Sequence, residues 1–404
     1  MSREDARTFS GTRSVARKLA LQALYRWQLN ESPWQDLVQE FGEAEDMTRA
    51  DADYFRTLVE GVWRGREELD ARLATFTDRA PGLLDPVERA VLLIALYELT
   101  ARPEVPYRVA INEAVGLAVP AGSELVAAID TLVAGVHFPH GSPPASIGHR
   151  ALAVNLSDLA AMGARPAWAL LALTLPEADE NWLEEFASGF CELARAHGVA
   201  LVGGDTTRGP LCISVQLLGH VPAGEALTRG GGSAGDVLFV SGTCGDAAAG
   251  LAIEQGQLEA DPDARAWLRE RFLWPTPRIA LGERLRGLAS ACIDVSDGLL
   301  ADAGRLASAS RAGAELAWAD VPLSQPLLAV LGEVRARELA LGGGDDYELC
   351  FAVPPQNIAR LTAQLPPQEW RYARIGLLRA APGAVVVRDG TVMEFSHSGY
   401  EHFR

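Results

Sequence analysis

The chain changes its sequence grammar once, and that change limits the folds open to it more than any other feature. Up to residue 118, apolar positions recur at helical spacing. Ala16, Ala20, Ala23 with Leu24, and Trp27 fall at i, i+4, i+7/8 and i+11, one stripe on one helix. Asp53 through Phe76 reads as a long, charged amphipathic helix. Asp85-Pro86 opens another, with aspartate at a plausible N-cap and proline at the first helical position, burying Val91, Ile94, Ala95 and Leu99. Strand-like alternation and glycine turns are nearly absent, which predicts an all-α domain over residues 1–118. Past Ala118, short β-rich runs appear at Val199–Val202, Cys212–Val221, Val237–Val240, Glu348–Val353 and Ala384–Arg388, with helical stretches between them. That alternation predicts an α/β enzyme. The junction from Val119 to Ser123 is too short for a flexible linker.

Lysine usage narrows the chemistry. The chain carries one lysine, Lys18, among 36 basic residues. A Walker-type phosphate loop needs a lysine after its glycines, and the protein-kinase fold needs one on its third strand. Neither can exist in the large C-terminal part, and lysine Schiff-base chemistry is excluded there too. Phosphates in that part must be met by arginine, backbone N–H groups or metal ions. The five cysteines form no Cys-x-x-Cys pair, which argues against a disulfide framework and a zinc site and fits small buried hydrophobes. The longest nearly uninterrupted apolar run, Ala167 to Leu175, is about half of what a bilayer span needs. With a polar N-terminus of mixed charge, the expectation is a cytoplasmic protein without membrane contact.

Charge is uneven. The net charge is −17, yet residues 1–30 hold six basic and two acidic side chains. A basic stripe on an acidic protein is either a solvated arginine face or a nucleic-acid contact.

The C-terminal part repeatedly sets aspartate beside glycine or small residues: at Asp130, Asp158, Asp205, Asp294 with Asp297, and Asp345 with Asp346. Each alone reads as a turn. Together, without a Walker lysine, they suggest carboxylates converging to hold several Mg²⁺ ions, shared with substrate phosphates.

These segments carry a resemblance. Ala151-Leu-Ala-Val-Asn-Leu-Ser-Asp-Leu-Ala-Ala-Met-Gly-Ala164 resembles the signature of thiamine-monophosphate kinases. So do Asp130-Thr-Leu-Val-Ala-Gly-Val-His-Phe138, Gly203-Gly-Asp-Thr-Thr-Arg-Gly-Pro210, Ala226-Leu-Thr-Arg229, Asp294-Val-Ser-Asp-Gly298, Gly343-Gly-Asp-Asp-Tyr-Glu-Leu349 and Gly399-Tyr-Glu-His-Phe403. The resemblance covers about residues 119–404 and implies a fold like the aminoimidazole-ribonucleotide synthetase superfamily. Its two α/β lobes would fall over 119–225 and 226–404, often paired as a homodimer through the first. It implies ATP-dependent phosphorylation of thiamine monophosphate on Mg²⁺, by direct in-line transfer with no side-chain nucleophile. Asp130, Asp158, Asp205, Asp294 and Asp297 would ligate metal. Gly204, Asp205, Arg229 and Ser296 would contact ATP, and His137, Asp345 and Tyr400 would line the thiamine site.

The helical part resembles the transcription antitermination factor NusB through Arg17-Lys-Leu-Ala-Leu-Gln-Ala-Leu-Tyr25, Asp53-Tyr-Phe-Arg56, Glu88-Arg-Ala-Val-Leu-Leu-Ile-Ala-Leu-Tyr-Glu-Leu99 and Val105-Pro-Tyr-Arg-Val-Ala-Ile-Asn-Glu-Ala114. That family binds boxA-type RNA together with a ribosomal protein, which implies phosphate contacts from Arg13, Arg17 and Lys18. Both resemblances break at the junction. The helical family's last helix is missing, as are the kinase family's opening helix and strand with its Gly-x-Gly-Asp-Asp turn. Ala128 and Ile129 stand where that family has small hydroxyl residues before its Asp130 equivalent. The expectation is a kinase weakened at its metal site; the alternative is an RNA-binding antitermination protein whose kinase part is crippled.

Overall fold

The structure is a computed structural model that describes residues 3–30, 32–77, 80–120, 122–393, 395 and 399. The chain divides into two compact units, up to Ala121 and from Gly122 onward.

The first unit is helical: α1 (Arg3–Asn30), α2 (Trp34–Gly42), α3 (Ala52–Leu73), α4 (Pro86–Ala101) and α5 (Tyr107–Ala118). Local chemistry sets its boundaries. The Asp85 carboxylate accepts from the amides of Val87 and Glu88, and Pro86 follows at the first turn. Asp51 caps α3 through the Tyr54 amide. Ala16, Ala20, Ala23 and Leu24 are buried with Phe55, Leu58, Leu93 and Ile94, so the periodic stripe is the core face.

The second unit runs β1 (Ser123–Val133), α6 (Pro144–Ala161), β2 (Arg165–Leu175), α7 (Glu180–Ala196), β3 (Ala200–Arg208), β4 (Cys212–Pro222), β5 (Val237–Ser241), α8 (Asp246–Glu254), α9 (Pro262–Leu273) and α10 (Ile279–Leu285). It continues with β6 (Ala291–Val295), α11 (Leu299–Ala309), β7 (Gly313–Ala317), α12 (Gln325–Gly342), β8 (Glu348–Val353), α13 (Ile358–Gln364), α14 (Pro367–Trp370), β9 (Tyr372–Arg379), β10 (Gly383–Arg388) and β11 (Thr391–Met393). Two sheets result: a four-stranded one ordered β1-β4-β2-β3, and a seven-stranded one ordered β11-β10-β7-β9-β5-β8-β6. Both are mixed, with parallel pairs at β2–β3 and β7–β10. The apolar run at Ala167–Leu175 forms most of β2, which pairs with β4 and β3.

Helix α6 is buried along nearly its whole length. It crosses α7 closely because glycine stands at both contact points. A Cβ at Gly148 would lie 2.0 Å from the Phe186 carbonyl oxygen, and one at Gly189 would lie 1.9 Å from that of Ala145. The opposite face of the small sheet is open: β3 is exposed at every position, and Leu125 and Ile129 of β1 are exposed apolar residues. No described helix is long and apolar enough to cross a membrane.

Candidate active site

A cavity of about 490 Å³ is lined by Asp130, His137, Asp158, Asp294, Ser296, Asp297 and Asp345, with Ile129, Val136, Val154 and Tyr347 among the others. Each acidic group arrives on a different support. Asp130 lies near the end of β1, opposite Val215 of β4. Asp158 projects from α6, and Asp294 is the penultimate residue of β6, opposite Leu349. Ser296 and Asp297 follow in the loop before α11.

That loop is braced from within. One oxygen of the buried Asp302 carboxylate accepts the amides of Ser296, Asp297 and Gly298 at 3.0, 3.0 and 3.2 Å. Arg305 bridges Asp302 and Asp297. The loop carrying Asp345 is tied to the same strand end: the amides of Asp345 and Tyr347 donate to the carbonyls of Ser296 and Val295, each at 2.8 Å. His137 sits in the turn after β1, where its Nδ1 accepts the Val133 amide at 3.0 Å.

The electrostatics are those of crowded carboxylates. Burial, then the charges of Asp294 and Asp130, push Asp158 up to about 8. Burial also raises Asp294, to about 7, with Asp302 and Asp130 adding to the effect. Burial raises Asp130 as well. Arg229, exposed at the surface, opposes the rise at both Asp158 and Asp294. Hard oxygen donors that repel one another around a cavity fit a divalent cation in donor chemistry. Among the described residues no three His, Cys, Asp or Glu side chains converge closely enough to hold an ion alone. Substrate phosphate oxygens and water would have to complete any shell, which is how Mg²⁺ is usually bound.

Not every expected residue joins this group. Gly204 and Asp205 lie on the far edge of the small sheet. Asp205 stands opposite Ala172, Ala172 opposite Ser214, and Ser214 opposite Thr131. Three interstrand spacings, about 14 Å, therefore separate Asp205 from the Asp130 end of β1. Its Oδ1 accepts the neighbouring Thr206 amide at 2.9 Å. Tyr400 lies outside the described residues. Tyr347, inside the Gly343–Leu349 motif but given no role there, lines the cavity, and Arg150, outside every motif, pairs with Asp345. Arg150 precedes Asp158 by eight residues on α6, a helical spacing that could have marked it.

In the helical unit, one expectation needs correction. Arg17 is only 2% exposed; its Nε donates to Glu98 at 2.9 Å and its Nη2 to the Tyr54 hydroxyl at 3.2 Å. A guanidinium committed to the core is not available to RNA phosphates. Arg13 is part-buried, over the Tyr54 ring and paired with Asp51, whereas Lys18 is exposed.

Comparison with known proteins agrees with this layout. Residues 112–221 match the N-terminal domain of AIR synthase related proteins, and residues 233–389 match the C-terminal domain. Residues 14–128 match the NusB family, so both readings share the junction segment. The thiamine-monophosphate kinase of Salmonella typhimurium is 46% identical over 289 residues, covering 71% of this chain and 89% of that one. The chain belongs to the thiamine-monophosphate kinase family. A crystal structure of the enzyme from Stenotrophomonas maltophilia superposes with a TM-score of 0.63 at 48% identity, covering 68% of this chain and 87% of that chain. AaThiL complexed with AMPPCP and TMP gives a TM-score of 0.63 at 33% identity, covering 70% and 89%.

Proposed function

We propose that the chain transfers the γ-phosphoryl group of ATP to thiamine monophosphate, giving ADP and thiamine diphosphate, in the cytoplasm. A phosphate oxygen of thiamine monophosphate attacks Pγ, a new P–O bond forms, and the bond from Pγ to the β,γ-bridging oxygen breaks. The observation that carries this reading is one cavity lined by Asp130, Asp158, Asp294 and Asp297 together with His137 and Asp345. Mg²⁺ bound by those four carboxylates would neutralise the phosphate oxygens and hold them in line. Ser296 is held by the Asp302 brace where it can donate to a phosphate, and Arg229 supplies a fork for two phosphate oxygens. Asp345 offers a carboxylate to the cationic thiazolium, and His137 lines the same cavity.

The remote position of Asp205 and Gly204 supports pairing of two copies through the open face of the small sheet. In such a homodimer these residues would serve the partner's nucleotide. Incubation of the full chain with ATP, Mg²⁺ and thiamine monophosphate should yield thiamine diphosphate, lost in Asp294→Asn and on chelation. Absence of product at high enzyme concentration would sink the proposal.

For the helical unit we propose contact with boxA-type RNA, beside a ribosomal protein, centred on Lys18 with Arg13 nearby. The exposure of Lys18 supports this contact.

A further inference from the structure

Arg150 is an expensive residue in its position. It lies on α6 with its side chain only 3% exposed, and its Nε is buried without a hydrogen-bond partner. An apolar side chain would fill the space without that loss. What the guanidinium does hold is specific. Its Nη2 pairs with Oδ1 of Asp345, and its Nη1 donates to the Phe272 carbonyl at 2.8 Å. Its Cζ lies over two rings, 4.7 Å from the Phe272 centroid and 5.5 Å from that of Tyr347. The Tyr347 hydroxyl donates to the same Oδ1 of Asp345 at 3.1 Å. Both contacts therefore fall on one oxygen, and Oδ2 of this cavity-lining carboxylate has no partner among the described residues.

The backbone around Asp345 needs such a hold. Asp345 and Tyr347 have φ of +71° and +50°, a left-handed conformation that non-glycine residues adopt only when their surroundings enforce it. Arg150 also belongs to the helix that carries Asp158, two turns further on, with Val154 between them on the same face. The eight-residue separation spans about 12 Å of rigid helix.

We propose that Arg150, with Tyr347, is a positioning residue that clamps Asp345 so that Oδ2 faces the thiamine end of the cavity. α6 then sets the distance from that oxygen to the metal-binding carboxylates. This rests on the proposed kinase reading. The clamp fixes specificity: it presents one oxygen to a cationic ring and spends the other on the protein.

The test uses the full chain with Arg150→Met, Arg150→Lys, Asp345→Asn and the double variant Arg150→Met/Asp345→Asn. Arg150→Met should raise KM for thiamine monophosphate about tenfold, as loss of a hydrogen bond to a charged group implies, while KM for ATP stays within about twofold. Arg150→Lys should recover part of the loss, because the ammonium keeps the charge but not the fork. In the Asp345→Asn background, Arg150→Met should add less than about twofold, the non-additivity expected of a residue acting through its neighbour. An unchanged KM for thiamine monophosphate, or additive effects, would overturn the clamp while leaving the kinase reading intact. Failure of the wild-type chain to bind thiamine monophosphate by calorimetry, with Mg²⁺ and AMPPCP present, would overturn both. If Arg150→Met does not fold, Tyr347→Phe carries the test: KM for thiamine monophosphate should rise about threefold, and no change refutes the clamp.

Discussion

Replacing Asp158 with asparagine should stabilise the chain while abolishing its Mg²⁺-dependent nucleotide binding. A carboxyl whose folded pKa is raised from 3.8 to about 8 binds a proton in the folded state that the unfolded chain has already lost. Its contribution is therefore most favourable at low pH and is lost as pH rises through that interval. Above pH 8 the full cost is roughly 5–6 kcal/mol, at about 1.36 kcal/mol per pH unit. Asparagine keeps the shape and removes the charge, but its buried carboxamide retains part of the penalty, so about 3 kcal/mol is the expected gain. The assay is urea unfolding of the full chain without Mg²⁺, at pH 8 and pH 4.5, reading the transition that Mg²⁺-ATP shifts in the wild type. The gain should fall below about 1 kcal/mol at pH 4.5, where the wild-type carboxyl is already protonated. A variant less stable than wild type at pH 8, or an equal gain at both pH values, would refute the idea that crowding of charge dominates this site.

Arg17→Met should destabilise the helical unit by about 3–5 kcal/mol in thermal unfolding, because Glu98 is left charged and buried. Lys18→Ala should leave stability within about 0.5 kcal/mol and reduce the salt dependence of RNA binding by about one unit of log–log slope. Gly189→Ala should cost roughly 2–3 kcal/mol in urea unfolding, since its Cβ would meet the Ala145 carbonyl at the α6–α7 crossing. Grafting a Gly-Asp-Asp turn with its strand ahead of Ser123 should raise turnover at least about a hundredfold, the worth of a recovered carboxylate ligand. Equal rates before and after grafting would show that the junction does not limit the enzyme.

The helical unit was legible because its periodicity and caps act within a few residues: the Asp85-Pro86 signal and the Ala16–Leu24 stripe both survive unchanged in the structure. Arg17 was not legible. It neighbours that stripe, and what decides its burial is Glu98, 81 residues further on. In the second unit, Ala167–Leu175 invited comparison with a membrane span, yet it forms the interior strand β2, with Ala169, Leu173 and Leu175 buried in the core. The strand β6, five residues and wholly buried, carries too little alternation to declare itself. Acidic motifs marked Asp130, Asp158, Asp294, Asp297 and Asp345, and one cavity gathers them. The same motif reading could not say that Asp205 stands on the opposite edge of a sheet, because strand order is not written in local spacing. Arg150, and the role of Tyr347 within its motif, escaped for a related reason: their meaning lies in a contact between α6 and the loop before β8.

Lys18 has a practical consequence. It is the chain's sole lysine and is exposed on α1. Apart from the chain terminus, amine-directed dyes, cross-linkers and resins have one place to react. A fluorophore attached there reports on the helical unit. Immobilisation through the same amine masks the proposed RNA contact, so a surface-tethered preparation could lose one activity by its own attachment chemistry while the other persists.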